Sequence, residues 1–313
     1  MGELLEFARA VATGLSDTPR WLPCRYLYDA RGSELFEQIC QQPEYYLTRT
    51  EASILHRCAA EIRSITGPVT LIELGSGSSE KTSHLLAAYT GSPGMVRYVP
   101  VDVSDSALRI AIERIDRDHP DVEVSGLVGT YGLAFPRFKD YSPSMVVFLG
   151  STIGNLNRDE SVDFWTRVSD NMAEGDFFLL GIDLVKDPTT LEAAYNDAAE
   201  VTTEFTKNIF RRINRELGAH VDLDQLQHVA VYNAEWQRIE ISIRFLASQE
   251  VYIAPVDRSV TVGAGELVMT EISRKFVVGK MKEYLSHFGL ETRRVFTDKH
   301  EMFALLLLQR EVA

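Results

Sequence analysis

From about residue 68 onward, short apolar runs alternate with segments whose apolar residues recur every three or four positions, the rhythm of strands joined by helices. The runs Val69 to Leu74, Tyr98 to Asp102, Val122 to Val128, Met145 to Gly150 and Phe177 to Asp183 predict five strands. The last two are nearly continuous apolar stretches, as strands covered by helices on both faces must be. Leu290 to Phe296 and Met302 to Arg310 predict two further strands, joined by a short turn at Asp298-Lys299-His300 and therefore forming a hairpin. The pattern as a whole predicts an α/β fold with a doubly wound parallel sheet. Between the fifth strand and the hairpin the rhythm breaks. Leu191 to Leu217 reads as helix, while Val229 to Tyr232, Arg238 to Ala247, Glu250 to Ala254 and Val268 to Phe276 read as a β-meander. Residues 188–276 are thus expected to form an inserted second α+β domain, joined by residues 1–55, with 56–187 and the closing hairpin in 277–313 making the sheet domain.

The first predicted strand ends in Leu71-Ile72-Glu73-Leu74-Gly75-Ser76-Gly77-Ser78-Ser79-Glu80-Lys81. Glycines after a parallel strand let the backbone approach a ligand, and the helix start that follows offers N–H groups, so this turn suits a nucleotide-like molecule. An ordinary strand-to-helix connection would be written with the same residues. A dinucleotide fingerprint would place Gly or Ala where Glu80 stands, which disfavours a hydride-transfer cofactor. The acid directly before the glycines, Glu73, instead resembles the first motif of the class I S-adenosylmethionine-dependent methyltransferases. The second strand ends in Asp102, 29 residues beyond Glu73. A carboxylate there can accept both ribose hydroxyls of an adenosine cofactor. Ser104 is positioned to cap the helix that follows, leaving Asp102 for a ligand.

Composition narrows the field. The 313 residues carry a net charge of −13 and are 45% hydrophobic. Such a chain can bury a full core, and its acidity argues against nucleic acid as a partner, because phosphate neutralisation needs clustered Lys and Arg. Arg211-Arg212 and Arg293-Arg294 are isolated pairs expected on solvated faces. No apolar run is long enough for a membrane span. Met1-Gly2-Glu3-Leu4-Leu5-Glu6 has neither a signal-peptide pattern nor a myristoylation site, and Cys24, Cys40 and Cys58 match no metal-ligand spacing. A cytoplasmic, metal-free monomer with reduced thiols is expected.

Five segments together are similar to the histidine Nα-methyltransferases of ergothioneine biosynthesis: Arg25 to Phe36, Pro43 to Glu51, Phe148 to Asn155, Leu180 to Asp187 and Thr270 to Phe276. The resemblance implies a Rossmann-like class I methyltransferase domain with a substrate-binding domain built from the N-terminal part and the insert. It implies three successive methyl transfers from S-adenosyl-L-methionine to the α-amine of L-histidine, giving hercynine. It places Tyr28 and Tyr45 over the amino-acid substrate, Asn155 and Tyr195 at its amine and carboxylate, and Glu271 with Ser273 at the imidazole. Tyr28, Tyr45 and Asn155 are the catalytic candidates. The cofactor is expected on Glu73, Gly75, Ser76, Gly77, Lys81, Asp102, Thr130, Tyr131, Gly150 and Ser151.

Two positions depart from that family's pattern. Thr130 stands where an acid commonly meets the adenine amino group, and its hydroxyl or a backbone carbonyl can accept that bond instead. Ile241 stands where some members place Met beside the substrate ring, a change of shape without charge. The residue chemistry also leaves a competing substrate, tryptophan, against which Glu271 argues because an indole offers one N–H on a large apolar body.

Overall fold

The computed structural model describes residues 2–77, 79–90 and 96–311, so Met1 and Ser78 of the glycine turn lie outside the described residues. The chain divides into two compact units, residues 1–45 with 187–273, and residues 46–186 with 274–313. The first boundary falls ten residues before the expected 55/56, because helix Tyr46–Thr66 is continuous and cannot be cut there.

In the larger unit the strand order is Leu290–Thr297, Phe303–Arg310, Phe177–Asp183, Ser144–Phe148, Thr70–Leu74, Val96–Asp102 and Val122–Val124, with Leu127–Val128 also pairing Val96–Asp102. The last five of that order run parallel to one another. Phe303–Arg310 lies antiparallel to both Phe177–Asp183 and Leu290–Thr297, the closing hairpin expected from sequence. Asp298 makes its turn by accepting the N–H groups of His300, Met302 and Phe303 at 2.8, 2.7 and 3.0 Å. The core is continuous across the central strands, where Ile72, Val99, Val146, Phe148, Phe178, Leu180 and Leu306 meet Trp165 and Phe164. The expected strand Val122 to Val128 is broken in two. Ser125 and Gly126 interrupt it, Ser125 N–H donating to the Tyr98 carbonyl at 2.9 Å, and a Cβ on Gly126 would sit 2.9 Å from the tip of Ile112.

In the smaller unit a mixed sheet runs Arg20–Trp21, Leu267–Arg274, Arg238–Phe245, Leu226–Asn233, of which Arg274 alone belongs to the other unit. It is not the expected four-strand meander. Gln249–Ile253 pairs instead with Arg258–Val262, an unanticipated strand, as a separate hairpin, and the fourth place in the sheet is filled by Arg20–Trp21 running parallel to Val268 and Met269. The expected helix Leu191 to Leu217 is also two helices, Pro188–Ala193 and Val201–Leu217. Asp197 explains the break: its carboxylate accepts the N–H groups of Val201 and Thr202 at 2.7 and 2.8 Å and so starts a new helix. That second helix buries Phe205, Ile209, Phe210, Ile213 and Leu217 on one face. Arg212, expected on a solvated face, instead lies over the rings of Phe7 and Tyr26.

Candidate active site

In the larger unit the glycine turn follows Thr70–Leu74 at the carboxyl edge of the sheet, where ligands of open α/β sheets gather. Gly75 and Gly77 have φ of +69° and +50°, a left-handed backbone that side chains resist. The amides of the turn point inward: Gly75 and Ser76 N–H donate to the Val101 carbonyl, and Gly77 N–H donates to Asp102 Oδ2 at 2.9 Å. The N–H groups of Gly75, Ser76 and Gly77 are thus taken up inside the unit, and the Ser76 carbonyl accepts Ser79 N–H at 2.8 Å. Ser76 Oγ is buried and has no hydrogen-bond partner among the described residues. Ser104 N–H holds the other Asp102 oxygen at 2.9 Å, and Ser104 Oγ caps the next helix at Ala107 N–H, as expected. Asp102 thus organises the turn, and each of its oxygens has a lone pair to spare. Burial raises its pKa, with the backbone N–H groups opposing.

Glu73 lies beneath this turn. Thr82 Oγ1 donates to one of its oxygens at 2.5 Å and the Tyr98 hydroxyl donates to the other, so the acid braces the turn from inside. Burial pushes its pKa up to about 7, more than the hydroxyl donors and Lys81 lower it. Burial and the Glu73 charge together hold the Tyr98 phenol well above its ordinary value. Lys81 is ion-paired with Glu51, whose carboxylate is fully buried and also accepts Gly150 N–H at 2.9 Å through each oxygen. Glu51 is invisible as a site residue in the chemistry of the motifs. Its signal lies in its spacing, since an acid among the buried Leu47, Ile54, Leu55 and Cys58 of one helix face needs a charged partner.

Gly150 and Ser151 follow Ser144–Phe148 with φ of +74° and +56°. The Ser151 hydroxyl accepts Asp183 N–H at 2.9 Å, tying this loop to the neighbouring strand. Asn155 ends the short turn Thr152–Asn155, which Gly154 brings close to Arg274, as a Cβ there would sit 2.9 Å from the Arg274 carbonyl oxygen. Thr130 is exposed and starts the short helix Tyr131–Ala134 without using its hydroxyl as a cap. Tyr131 reaches the glycine turn, its hydroxyl 3.1 Å from where a Gly75 Cβ would be, and its ring meets Phe148 and Phe164 edge-on.

In the smaller unit a second group assembles. Tyr45 is buried, with its ring 6.1 Å from Tyr195 and 6.3 Å from Phe36, both edge-on. Tyr28 joins through Phe36 at 5.7 Å and Phe205 at 5.3 Å. Neither phenylalanine stands out in the sequence, because an aromatic at helical spacing reads as core. The Tyr195 hydroxyl bonds Ser273 Oγ at 2.8 Å. Glu271 and Ser273 are two apart on strand Leu267–Arg274 and so share a face. Burial holds the Tyr45 phenol well above its ordinary pKa, and negative charge at Glu271 adds to the effect. Ile241 is buried on the adjacent strand, its carbonyl accepting the Thr270 hydroxyl at 3.2 Å.

The sequence matches a family model described as histidine-specific methyltransferase, SAM-dependent, over residues 7–310. The histidine N-alpha-methyltransferase of Mycolicibacterium smegmatis is 42% identical over 302 residues, covering 96% of this chain and 94% of that protein. Ergothioneine biosynthesis protein 1 of Neurospora crassa is 31% identical over 307 residues, covering 94% of this chain and 34% of the much longer fungal protein. An L-tryptophan methyltransferase of Psilocybe serbica is more distant, 26% identical over 342 residues that cover 99% of this chain and 94% of that protein. With that match over nearly the whole chain and a 42% identical relative covered almost end to end, this chain belongs to the histidine-specific, S-adenosylmethionine-dependent methyltransferase family.

Proposed function

We propose that this enzyme trimethylates the α-amine of L-histidine to give hercynine, the first step of ergothioneine biosynthesis. The observation that carries the substrate reading is the Tyr195–Ser273 hydrogen bond beside Glu271, next to the buried Tyr45 ring. An imidazole carries one N–H and one lone pair. Glu271 accepts the first and the Ser273 hydroxyl meets the second, whereas an indole would leave Ser273 unanswered and crowd Ile241.

In this reading the smaller unit is the substrate unit and the larger one holds the cofactor. Asp102 takes the ribose hydroxyls, Ser76 and the glycine turn meet the amino-acid end, Tyr131, Gly150 and Ser151 line the remaining contour, and the Thr130 hydroxyl accepts from the adenine amino group. Lys81 acts through Glu51, which fixes the Gly150 amide. When bound, S-adenosylmethionine supplies an electrophilic methyl group. What the protein must then do is hold a neutral amine in line with it. Tyr45, its phenol held neutral by burial, orients the amine as a hydrogen-bonding partner and not as a phenolate base. Tyr28 closes on the substrate beside it, and the Asn155 amide offers a donor to the carboxylate and an acceptor to the amine. As methyl groups replace N–H donors, the faces of Tyr28, Phe36, Tyr45 and Phe205 suit the growing ammonium cation. A cytoplasmic monomer remains part of this reading, in keeping with the free Cys24, Cys40 and Cys58. Among the described residues no helix is long and apolar enough to cross a membrane.

Glu271→Ala tests the assignment. The loss of one charge-assisted hydrogen bond, about 1.5–3 kcal/mol, lowers kcat/KM for histidine about ten- to a hundred-fold. Binding of S-adenosylhomocysteine, measured by calorimetry, stays at the wild-type value. Wild-type histidine kinetics in this variant would remove Glu271 from the imidazole site.

A further inference from the structure

Three of the motif segments contain residues that the methyl transfer does not use, namely Tyr46, Asp183 with Lys186, and Lys275. Within the larger unit these four side chains converge. Asp183 ends strand Phe177–Asp183 and is 0% exposed. The Tyr46 hydroxyl donates to its two oxygens at 2.9 and 2.8 Å, Lys186 Nζ donates to Oδ1 at 2.6 Å, and Lys275 Nζ pairs with Oδ2 at 2.9 Å. Lys186 Nζ also donates to the Tyr46 hydroxyl at 2.7 Å and to the Leu184 carbonyl at 2.5 Å. The backbone of Asp183 is tied as well, its N–H to Ser151 Oγ and its carbonyl to Phe276 N–H, each at 2.9 Å.

One carboxylate thus faces two ammonium groups, with the Lys275 side chain 0% and the Lys186 side chain 9% exposed. Stability alone does not select such a cluster, because buried ion pairs replaced by well-packed apolar groups are often neutral or more stable. Its location offers the reason. The chain passes between the two units at 45/46, 186/187 and 273/274. Tyr46 is the first residue after the first crossing, Lys186 the last before the second, and Lys275 the second after the third. Tyr45 is bonded directly to Tyr46, and Ser273 lies two residues before Lys275. Consecutive Cα atoms are about 3.8 Å apart, so fixing Tyr46 and Lys275 limits Tyr45 and Ser273 to within a few ångströms of set points.

We propose that Asp183 is a positioning residue for methyl transfer, its carboxylate anchoring all three chain crossings at one point and so setting where the segments carrying Tyr45 and Ser273 begin. The proposal rests on the functional reading above. It requires that Asp183 act through the chain and not on the cofactor, and two variants of the full chain separate these roles. Tyr46→Phe removes one hydroxyl and keeps every charge; Asp183→Asn keeps the shape and removes the central charge. Calorimetry with S-adenosylhomocysteine counts competent sites in each preparation, and histidine turnover is then expressed per site.

In both variants the stoichiometry and affinity for S-adenosylhomocysteine stay within about threefold of wild type, while kcat per site falls at least tenfold. The double variant falls little further, because both changes act through the same carboxylate. Should Asp183→Asn fail to fold, Tyr46→Phe decides alone. Fewer competent sites with unchanged kcat per site would overturn the proposal, since that is what a purely structural role gives. Lost S-adenosylhomocysteine binding in Tyr46→Phe would overturn it too, by assigning the cluster to the cofactor. Wild-type chain that binds S-adenosylhomocysteine yet leaves histidine unmethylated would overturn the functional reading, a result read before any variant is made.

Discussion

Glu73→Gln tests how the glycine turn is held and makes a pH-dependent prediction with a defined sign. Burial moves the carboxyl pKa from 4.5 to about 7. At about 1.4 kcal/mol per pKa unit, that displacement corresponds to about 3 kcal/mol. Below about pH 4.5 the group is protonated in folded and unfolded chains alike, and nothing is lost. Between about pH 4.5 and 7 the folded state binds more protons than the unfolded state, so stability falls as pH rises, and above about pH 7 the full penalty applies. Glutamine has the same shape and no charge. It keeps the bond from Thr82, whose hydroxyl lies 2.5 Å from Glu73 Oε1, and the Tyr98 hydroxyl can turn to accept from the new amide. The variant therefore melts near or slightly below wild type at pH 5 and gains on it steadily towards pH 8. At about 2–4 °C per kcal/mol for a domain of this size, the gain reaches about 5–10 °C. Calorimetric melting of both proteins without ligand, from pH 5 to 8, gives the difference directly. Parallel curves would show that Glu73 does not titrate in this range. A variant less stable than wild type at pH 8 would show that its ionised form is held favourably, contrary to the burial argument.

Asp102→Ala should weaken S-adenosylmethionine and S-adenosylhomocysteine together by about ten- to a hundred-fold in calorimetry, because both present the same ribose diol to a charged acceptor. Asp102→Asn, which retains one acceptor for the Gly77 or Ser104 amide, should be milder; equal affinity in all three proteins would reject the ribose role. Asn155→Ala should lower histidine turnover with normal S-adenosylhomocysteine binding. Asn155→Asp should be as damaging or worse, since a second carboxylate beside that of the substrate repels it and favours the unreactive ammonium form of the amine. Full trimethylation by Asn155→Asp would remove this residue from the α-amino acid site.

What the sequence makes legible here is local. The hairpin at Asp298, the Ser104 cap and the glycines of the turn are written in a few adjacent residues whose backbone demands are specific. The strand Val122 to Val128 and the helix Leu191 to Leu217 read as continuous because their apolar spacing is continuous. The strand breaks at Ser125-Gly126 and the helix at the Asp197 cap, and neither break is encoded in the periodicity. The same limit applies to the site. Asp102 and Ser76 announce themselves by position after a strand. Glu51 and Asp183 do not, because apart from Lys186, three residues from Asp183, their partners Lys81, Gly150, Tyr46 and Lys275 come from distant segments joined only by the fold. The inward amides of Gly75, Ser76 and Gly77 belong to this class too: a glycine turn predicts a close approach but not which way its N–H groups face.

The most direct test of histidine trimethylation is an open competition for the methyl group. The purified chain is given S-adenosylmethionine carrying an isotopically labelled methyl, together with all twenty amino acids at equal concentration, and the amino-acid pool is read by mass spectrometry over time. Histidine alone should gain label, passing through one and two methyl groups to a species with three, while tryptophan stays at its starting mass. Label on tryptophan or another amino acid in preference to histidine, or accumulation that stops at one methyl group, would contradict the assignment of Glu271 and Ser273 as readers of the imidazole within a pocket that completes three transfers.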